Sequence, residues 1–300
     1  MAKRALLGLA AAAGAGLVWG LAEARAYTVR RYEVPVLPTG TRPVRILQLS
    51  DLHMTPSQRG KIAWVRSLAR ENVDAVITTG DNLAHVDAVP TVLEALEPLL
   101  DKPGAFVLGS NDYFGPHPKN PFTYFVSPTR VRRSPTVLPT GDLIAGLTGA
   151  GWVDLDNARG SMTAGGAVLD LVGLDDPHIG RDAMPTPASR PAEADARIGV
   201  VHAPYRRALD LLSADGADLI LAGHTHGGQV CVPYYGALVT NCDLDTSRAR
   251  GLHGWPGVRP ESGGTGTYVH VSAGLGTSPY APVRFACRPE ASILTLVPRG

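Results

Sequence analysis

Five times between residues 44 and 226 a short apolar run rich in strand-forming residues stops on polar side chains. The runs are "VRILQLSDLH", "VDAVITTGDN", "GAFVLGSND", "RIGVVH" and "DLILAGHTH". Between the first two, Ile62, Val65, Leu68 and Ala69 recur at helical spacing behind a cap expected near Ser57, and Thr91 to Leu100 reads as the next helix, with Pro90 in its first turn and Pro98 at its end. Strands that alternate with helices and are apolar on both faces form a parallel sheet covered by helices, joined by right-handed crossovers. The pattern predicts an α/β fold.

Further strands are expected at "VLDLVGL" (168–174), "YVHVSAG" and "SILTLV", the last two in a second sheet. Short helices are expected around Asp142 to Gly149 and over Tyr205, Leu209 and Leu212, the second ended by Gly216. Tyr113 to Pro139 has no period and reads as a long loop over one sheet edge, of the kind that often serves as a lid. No boundary divides residues 43–300, which are taken as one domain, and 27–42, with Pro35, Pro38 and Gly40, is taken as a linker. Before it, Lys3 and Arg4 precede an uncharged run from Ala5 to Ala22, and Ala24-Arg25-Ala26 resembles a small-residue cleavage site. Residues 1–26 are therefore expected to be a membrane anchor or an export signal, with the side of the membrane left open.

The residues immediately after the strands carry the chemistry: Asp51 and His53; Asp81 and Asn82; Ser110, Asn111 and Asp112; His202; His224 and His226. Carboxyl ends of strands in open α/β sheets border one crevice where ligands bind. Four of nine histidines stand there, and histidine is not a turn former. In an extended segment alternate residues point the same way, so Asp51-x-His53 and His224-x-His226 can each bind as a pair. Imidazole nitrogens with carboxylate and amide oxygens suit two divalent ions, manganese, iron or zinc, better than a soft metal, and Asp81 is the expected bridge.

Composition excludes more than it selects. With 28 Lys plus Arg against 27 Asp plus Glu there is no global field for nucleic acid, and none is expected as a partner. Cys231, Cys242 and Cys287 form no CxxC pair and read as buried apolar residues.

The motifs "DLH", "GDN", "GSND", "VVHAP" and "GHTHGGQ", in this order, resemble the calcineurin-like metallophosphoesterases. The tail "VSAGLGTSPYAPVRFACRPEASILTL" resembles their bacterial membrane-associated or exported phosphohydrolase branch. The resemblance implies a four-layer αββα sandwich of two mixed sheets flanked by helices. It also implies a phosphomonoester or phosphodiester hydrolase in which a metal-bridging hydroxide attacks phosphorus in line. Its substrate would be a phosphorylated small molecule or a lipid or envelope precursor. Asp51, His53 and His226 would bind one ion, His202 and His224 with an asparagine the other, and Asp81 both. Asn82 and Ser110 are candidates for substrate contact.

One motif departs from the family. Its Gly-Asn-His-Asp or Gly-Asn-His-Glu becomes Gly109-Ser110-Asn111-Asp112, so either Ser110 replaces the ligand or a one-residue slip, absorbed by a bulge, brings Asn111 to it. The slip is favoured, because an amide carbonyl is a better ligand than a neutral hydroxyl. The family's histidine is absent under both readings, and Asp112 and His253 are the candidates to supply its acid. A metal-binding protein with little turnover, a sensor of phosphoryl ligands or a structural protein, is the alternative. Asp175-Asp176 read as a turn or cap, His85, His117, His178 and His270 as ordinary surface or core histidines, and Arg130, Arg132 and Arg133 as a solvated loop face.

Overall fold

Two six-stranded sheets pack against each other in a computed structural model that describes residues 2–118, 134–264 and 266–299. The first sheet has the order β1 (Thr28–Leu37), β14 (Glu290–Pro298), β2 (Val44–Leu49), β3 (Ala75–Thr78), β4 (Gly104–Phe106), β5 (Val153–Asp154). The second runs β12 (Gly251–Trp255), β13 (Thr267–Val271), β9 (Leu219–Ala222), β8 (Ala196–Val201), β7 (Ala167–Leu174), β6 (Arg159–Ala164). A small antiparallel ribbon, β10 (Cys231–Val232) and β11 (Gly236–Ala237), stands apart from both. Pairing from β2 through β5 is parallel, as is pairing from β7 through β9 to β13, while β14 against β2, β6 against β7 and β12 against β13 are antiparallel. Both large sheets are therefore mixed.

Side chains alternate along each strand and so feed different layers. In β2, Ile46 joins Ile77, Ala105 and Val107 in meeting Leu169, Leu171, Ile198, Val200 and Leu221 of the second sheet. Leu47 and Leu49 turn the other way, onto Ile62 and Val65 of α2 (Arg59–Ser67), Val92 and Leu96 of α3 (Val89–Leu96), and Leu143 and Leu147 of an amphipathic helix at Thr140–Gly149. On the outer face of the second sheet Val172, Ile220 and Val269 pack on Leu209 and Leu212 of the helix Arg206–Ala214. Helix, sheet, sheet and helix make the four expected layers.

Three local expectations are corrected. Residues 27–42 are no linker: Thr28–Leu37 is β1, paired in parallel with β14 along nearly its whole length. "SILTLV" lies in the first sheet, between β1 and β2, and not with "YVHVSAG" in the second. The cap expected near Ser57 falls on Gln58, which makes no side-chain capping bond to the helix that begins at Arg59.

Ahead of β1, the helix α1 (Ala2–Glu23) contains the uncharged run. Among the described residues no helix is long and apolar enough to cross a membrane. Residues 119–133, with Arg130, Arg132, Arg133 and most of the expected loop, lie outside the described residues.

Candidate metal centre

The loops after β2, β3, β4, β8 and β9 converge at one end of the paired sheets, and the convergence strains them. Asp51, His53, Asp81, His224 and His226 all have positive φ, from 41° to 67°. Asp and His tolerate the left-handed region better than most residues, but each such residue still costs on the order of 1 kcal/mol. Space is equally constrained. A Cβ on Gly109 would lie 2.3 Å from Asp81 Oδ1, and one on Gly80, itself at φ +86°, 2.5 Å from the Gly109 nitrogen.

Strain of this kind persists because it aims side chains at each other. His53 Nε2 and His226 Nε2 are 3.2 Å apart, and His224 Nδ1 and His202 Nε2 are 3.3 Å apart. Asp81 Oδ2 stands 3.5 Å from both His53 Nε2 and His202 Nε2, and Asp51 Oδ1 is 3.6 Å from His226 Nε2. Asp51, His53 and His226 form one group able to hold a metal ion; Asp51, Asp81 and His202 form another.

Outer hydrogen bonds set the tautomers. His202 Nδ1 lies 2.7 Å from the Thr79 carbonyl, His226 Nδ1 is 3.1 Å from that of Gly276, and His224 Nε2 is 3.1 Å from that of Asn241. A carbonyl only accepts, so each of these nitrogens carries a proton, and the opposite nitrogen of each ring, which offers a lone pair whenever the ring is neutral, faces inward. Two imidazole lone pairs 3.3 Å apart between His202 and His224 repel unless a cation or proton lies between them.

Charge state agrees. Burial pushes His53 down to about 4 and His224 and His226 well below the usual histidine range, which leaves them in the neutral, metal-ligating form. Burial also opposes charge on His202, but Asp81 outweighs it and holds His202 high, while His202 in turn keeps Asp81 well below the carboxylate range. Burial, with the Asp81 charge beside it, raises Asp51 to about 6. The His202 imidazolium offsets only one of the two carboxylates, so this buried set is left net negative, and divalent cations fit it once they displace that proton.

The third motif resolves as one short helical turn, Ser110–Tyr113, and not as a bulge. Asn111 donates from its backbone N to Asp81 Oδ1 and from Nδ2 to Asp81 Oδ2, both at 2.7 Å. Asp112 turns inward and is wholly buried. Its Oδ1 accepts from Asn82 N (2.7 Å) and Leu83 N (3.1 Å), and its Oδ2 from Gly109 N (3.0 Å) and Asn82 Nδ2 (3.3 Å). Burial, with Asp81 nearby, raises it to about 7. The carboxyl expected to act as an acid thus ties the second and third motif loops together. Asn82 is buried in the same knot, while Ser110 is half-buried at the start of the turn.

His253 sits in β12 with Nε2 2.8 Å from the Arg250 carbonyl, and among the described residues it makes no hydrogen bond to any of the seven expected ligands. Two residues outside the expected set do reach them. Asn241, with φ 59°, places Nδ2 3.3 Å from His224 Nε2 in addition to its carbonyl. The His178 ring centre lies 4.5 Å from that of His224, with its Nδ1 3.1 Å from the Tyr205 hydroxyl. Neither carries a sequence signal beyond its residue type. The site opens where His226, Asn111, Asn241 and His178 are half-buried.

The family model for calcineurin-like phosphoesterases matches residues 44–228, the span that supplies every one of the seven expected ligands. The chain belongs to that family. As a calcineurin-like phosphoesterase it is a metal-dependent hydrolase of phosphoric esters. It is 26% identical over 265 residues to the metallophosphoesterase YkuE of Bacillus subtilis, covering 87% of this chain and 82% of that one. It is 32% identical over 152 residues, half of each chain, to the phosphodiesterase YaeI of Escherichia coli. Among solved structures, a 5'-nucleotidase precursor from Thermus thermophilus aligns over 85% of this chain and 54% of its own, at a TM-score of 0.42 and 13% identity.

Proposed function

We propose that this phosphoesterase is dinuclear and cleaves a phosphomonoester or phosphodiester. The observation that carries this reading is the pair of facing imidazole contacts, His53–His226 and His202–His224, with Asp81 Oδ2 equidistant from His53 and His202. Asp51, His53 and His226 would hold one cation, His202, His224 and Asn111 the other, and Asp81 both. Two divalent ions, manganese, iron or zinc, would supply an acidified water and the positive charge that offsets the phosphoryl oxygens.

The chain's own part is orientation. The Thr79, Gly276 and Asn241 carbonyls hold three imidazoles in the ligating tautomer, and the Asp112 knot keeps Asp81 and Asn111 in register. Asp112 is withheld from solvent and His253 is engaged elsewhere, which favours substrates whose leaving group departs without a proton, such as aryl phosphates or diphosphates.

The substrate we favour is a phosphorylated small molecule, lipid or envelope precursor, met by a protein attached to the membrane or exported through α1. Leu17, Val18 and Trp19 are exposed on that helix, between 57% and 67%, which supports a lipid-facing role.

The test is Mn²⁺-dependent hydrolysis of bis-p-nitrophenyl phosphate and p-nitrophenyl phosphate. Wild type should exceed Asp81→Ala by orders of magnitude on at least one of them. Equal rates on both, with metal bound, would favour a sensor or structural metal protein instead.

A further inference from the structure

The C-terminal end of α1 is built into the frame of the metal centre. Glu23 is 8% exposed, although it belongs to a helix whose neighbouring residues are largely in solvent. Its carboxylate accepts from three donors: Cys287 N to Oε1 at 2.6 Å, Ala286 N to Oε2 at 3.2 Å, and Trp19 Nε1 to Oε2 at 2.7 Å. Three residues earlier the Gly20 carbonyl accepts from Arg284 N at 3.0 Å. Helix α1 thus grips both ends of the segment Arg284–Cys287, which passes through a non-glycine residue of positive φ at Ala286 (51°).

That segment holds His226. Arg284 is fully buried, and its guanidinium donates to the carbonyls of His226 (3.3 Å), Ala273 (2.7 Å), Gly274 (3.1 Å) and Gly276 (2.8 Å). The Gly276 carbonyl is the one that sets the His226 tautomer. From the other end Cys287 Sγ donates to the His226 carbonyl at 3.3 Å. His226 is at positive φ, a conformation that its surroundings hold at a cost on the order of 1 kcal/mol. The support runs from the helix end through one strap to the ligand.

We infer that Glu23 is a positioning residue for the metal ligand His226, acting through Arg284–Cys287, and that residues 20–26 are a working part of the enzyme and not a removable leader. Charge-assisted bonds from a carboxylate to two consecutive backbone amides fix the strap in a way that an apolar residue cannot. Cleavage after Ala26 would remove Glu23 and the Gly20 carbonyl together, freeing both ends of the strap. The inference rests on the dinuclear reading of the site.

The experiment titrates full-length wild type, Glu23→Ala, Glu23→Gln and Asp81→Ala with Mn²⁺ and Co²⁺, following free Mn²⁺ by electron paramagnetic resonance and bound Co²⁺ by visible absorption, with Tm measured alongside. Wild type should bind two ions. In Glu23→Ala one of the two dissociation constants should weaken by roughly 10- to 100-fold, the range for losing support behind a ligand, while the other stays within about threefold. Glu23→Gln keeps an acceptor for Cys287 N and should fall between the two. Unchanged constants in Glu23→Ala, or equal weakening of both ions, would overturn the inference, the latter because it marks a general loosening of the fold. If Glu23→Ala does not fold, Glu23→Gln decides by the same criterion, selective weakening of one ion. Wild type that binds no more metal than Asp81→Ala overturns the site reading itself, and this inference with it.

Discussion

Asn111 addresses both oxygens of Asp81, its backbone amide on Oδ1 and its side-chain amide on Oδ2, each at 2.7 Å. The Ser110 hydroxyl, one residue earlier, is not among the hydrogen-bond partners of that carboxylate within the described residues. The slipped reading of the third motif places the functional amide at 111, so Asn111→Ala should lower Mn²⁺-dependent hydrolysis by roughly 10²-fold or more, while Ser110→Ala should stay within about threefold. Steady-state rates on bis-p-nitrophenyl phosphate decide it, and the opposite ranking would restore Ser110 as the ligand.

Asp112 should behave as a structural carboxylate. Replacing it with alanine strands the buried amides of Gly109, Asn82 and Leu83, at roughly 1 to 3 kcal/mol each before relaxation. A net loss of about 3 kcal/mol, or a fall in Tm of roughly 5 °C for a domain of this size, is expected in metal-free protein. Asp112→Ala with full stability and selective loss of turnover on poor leaving groups would instead mark it as the acid.

Lys61 should give the protein a stability that climbs with pH. It lies buried on α2, its Nζ donating to the Leu52 carbonyl at 2.6 Å, and burial, helped by Arg284, lowers it to about 7 from the ordinary 10.5. Between those values the unfolded chain holds the proton that the folded protein has released. The folded state binds fewer protons there, so stability rises with pH, on the order of 1 kcal/mol per unit, and below about 7 the full cost of the buried charge is present. Denaturant unfolding with chelator at about pH 6, 8 and 9.5, spanning that window, should show wild type gaining on Lys61→Met; a constant difference would contradict it.

Asn241 supports His224 from outside the motif set. Asn241→Pro would disturb the loop, so the informative change is His224→Gln beside Asn241→Ala. The alanine variant keeps the carbonyl but loses, at φ 59°, a side chain suited to that conformation. Affinity for one of the two ions should fall about 10-fold in Asn241→Ala and beyond detection in His224→Gln. Calorimetric titration with Mn²⁺ measures both, and equal affinity for wild type and Asn241→Ala would remove Asn241 from the site.

The gathering of the seven expected ligands at one place was legible because they come directly after strands whose apolar runs stand out locally, and because histidine has no turn-forming role to explain it there. The first strand was not. Thr28–Leu37 contains Pro35, which a central strand could not accept, and reads as loop; at the sheet edge, with a register shift between Pro35 and Leu37, it is tolerated. "SILTLV" was recognisable as a strand but not assignable to a sheet, since its partners Thr28–Leu37 and Val44–Leu49 lie at the other end of the chain and leave no trace in its own pattern. Asn241 and His178 reach the centre from loops without periodic neighbours, so only three dimensions reveal them. The same holds for Glu23, an ordinary acid at a helix end until the chain closes on itself.

Thr28 faces Glu290 across the β1–β14 pair, and this contact between distant parts of the chain sets an order of events. As synthesis proceeds, β2 emerges early but must wait for β14 before that edge is covered, and β1 has nothing to pair with until the same moment. Closure over so long a loop is slow compared with local helix formation. A ribosome-bound chain therefore spends most of its synthesis with an open strand edge and an unattached helix α1, a window in which a chaperone has its best grip.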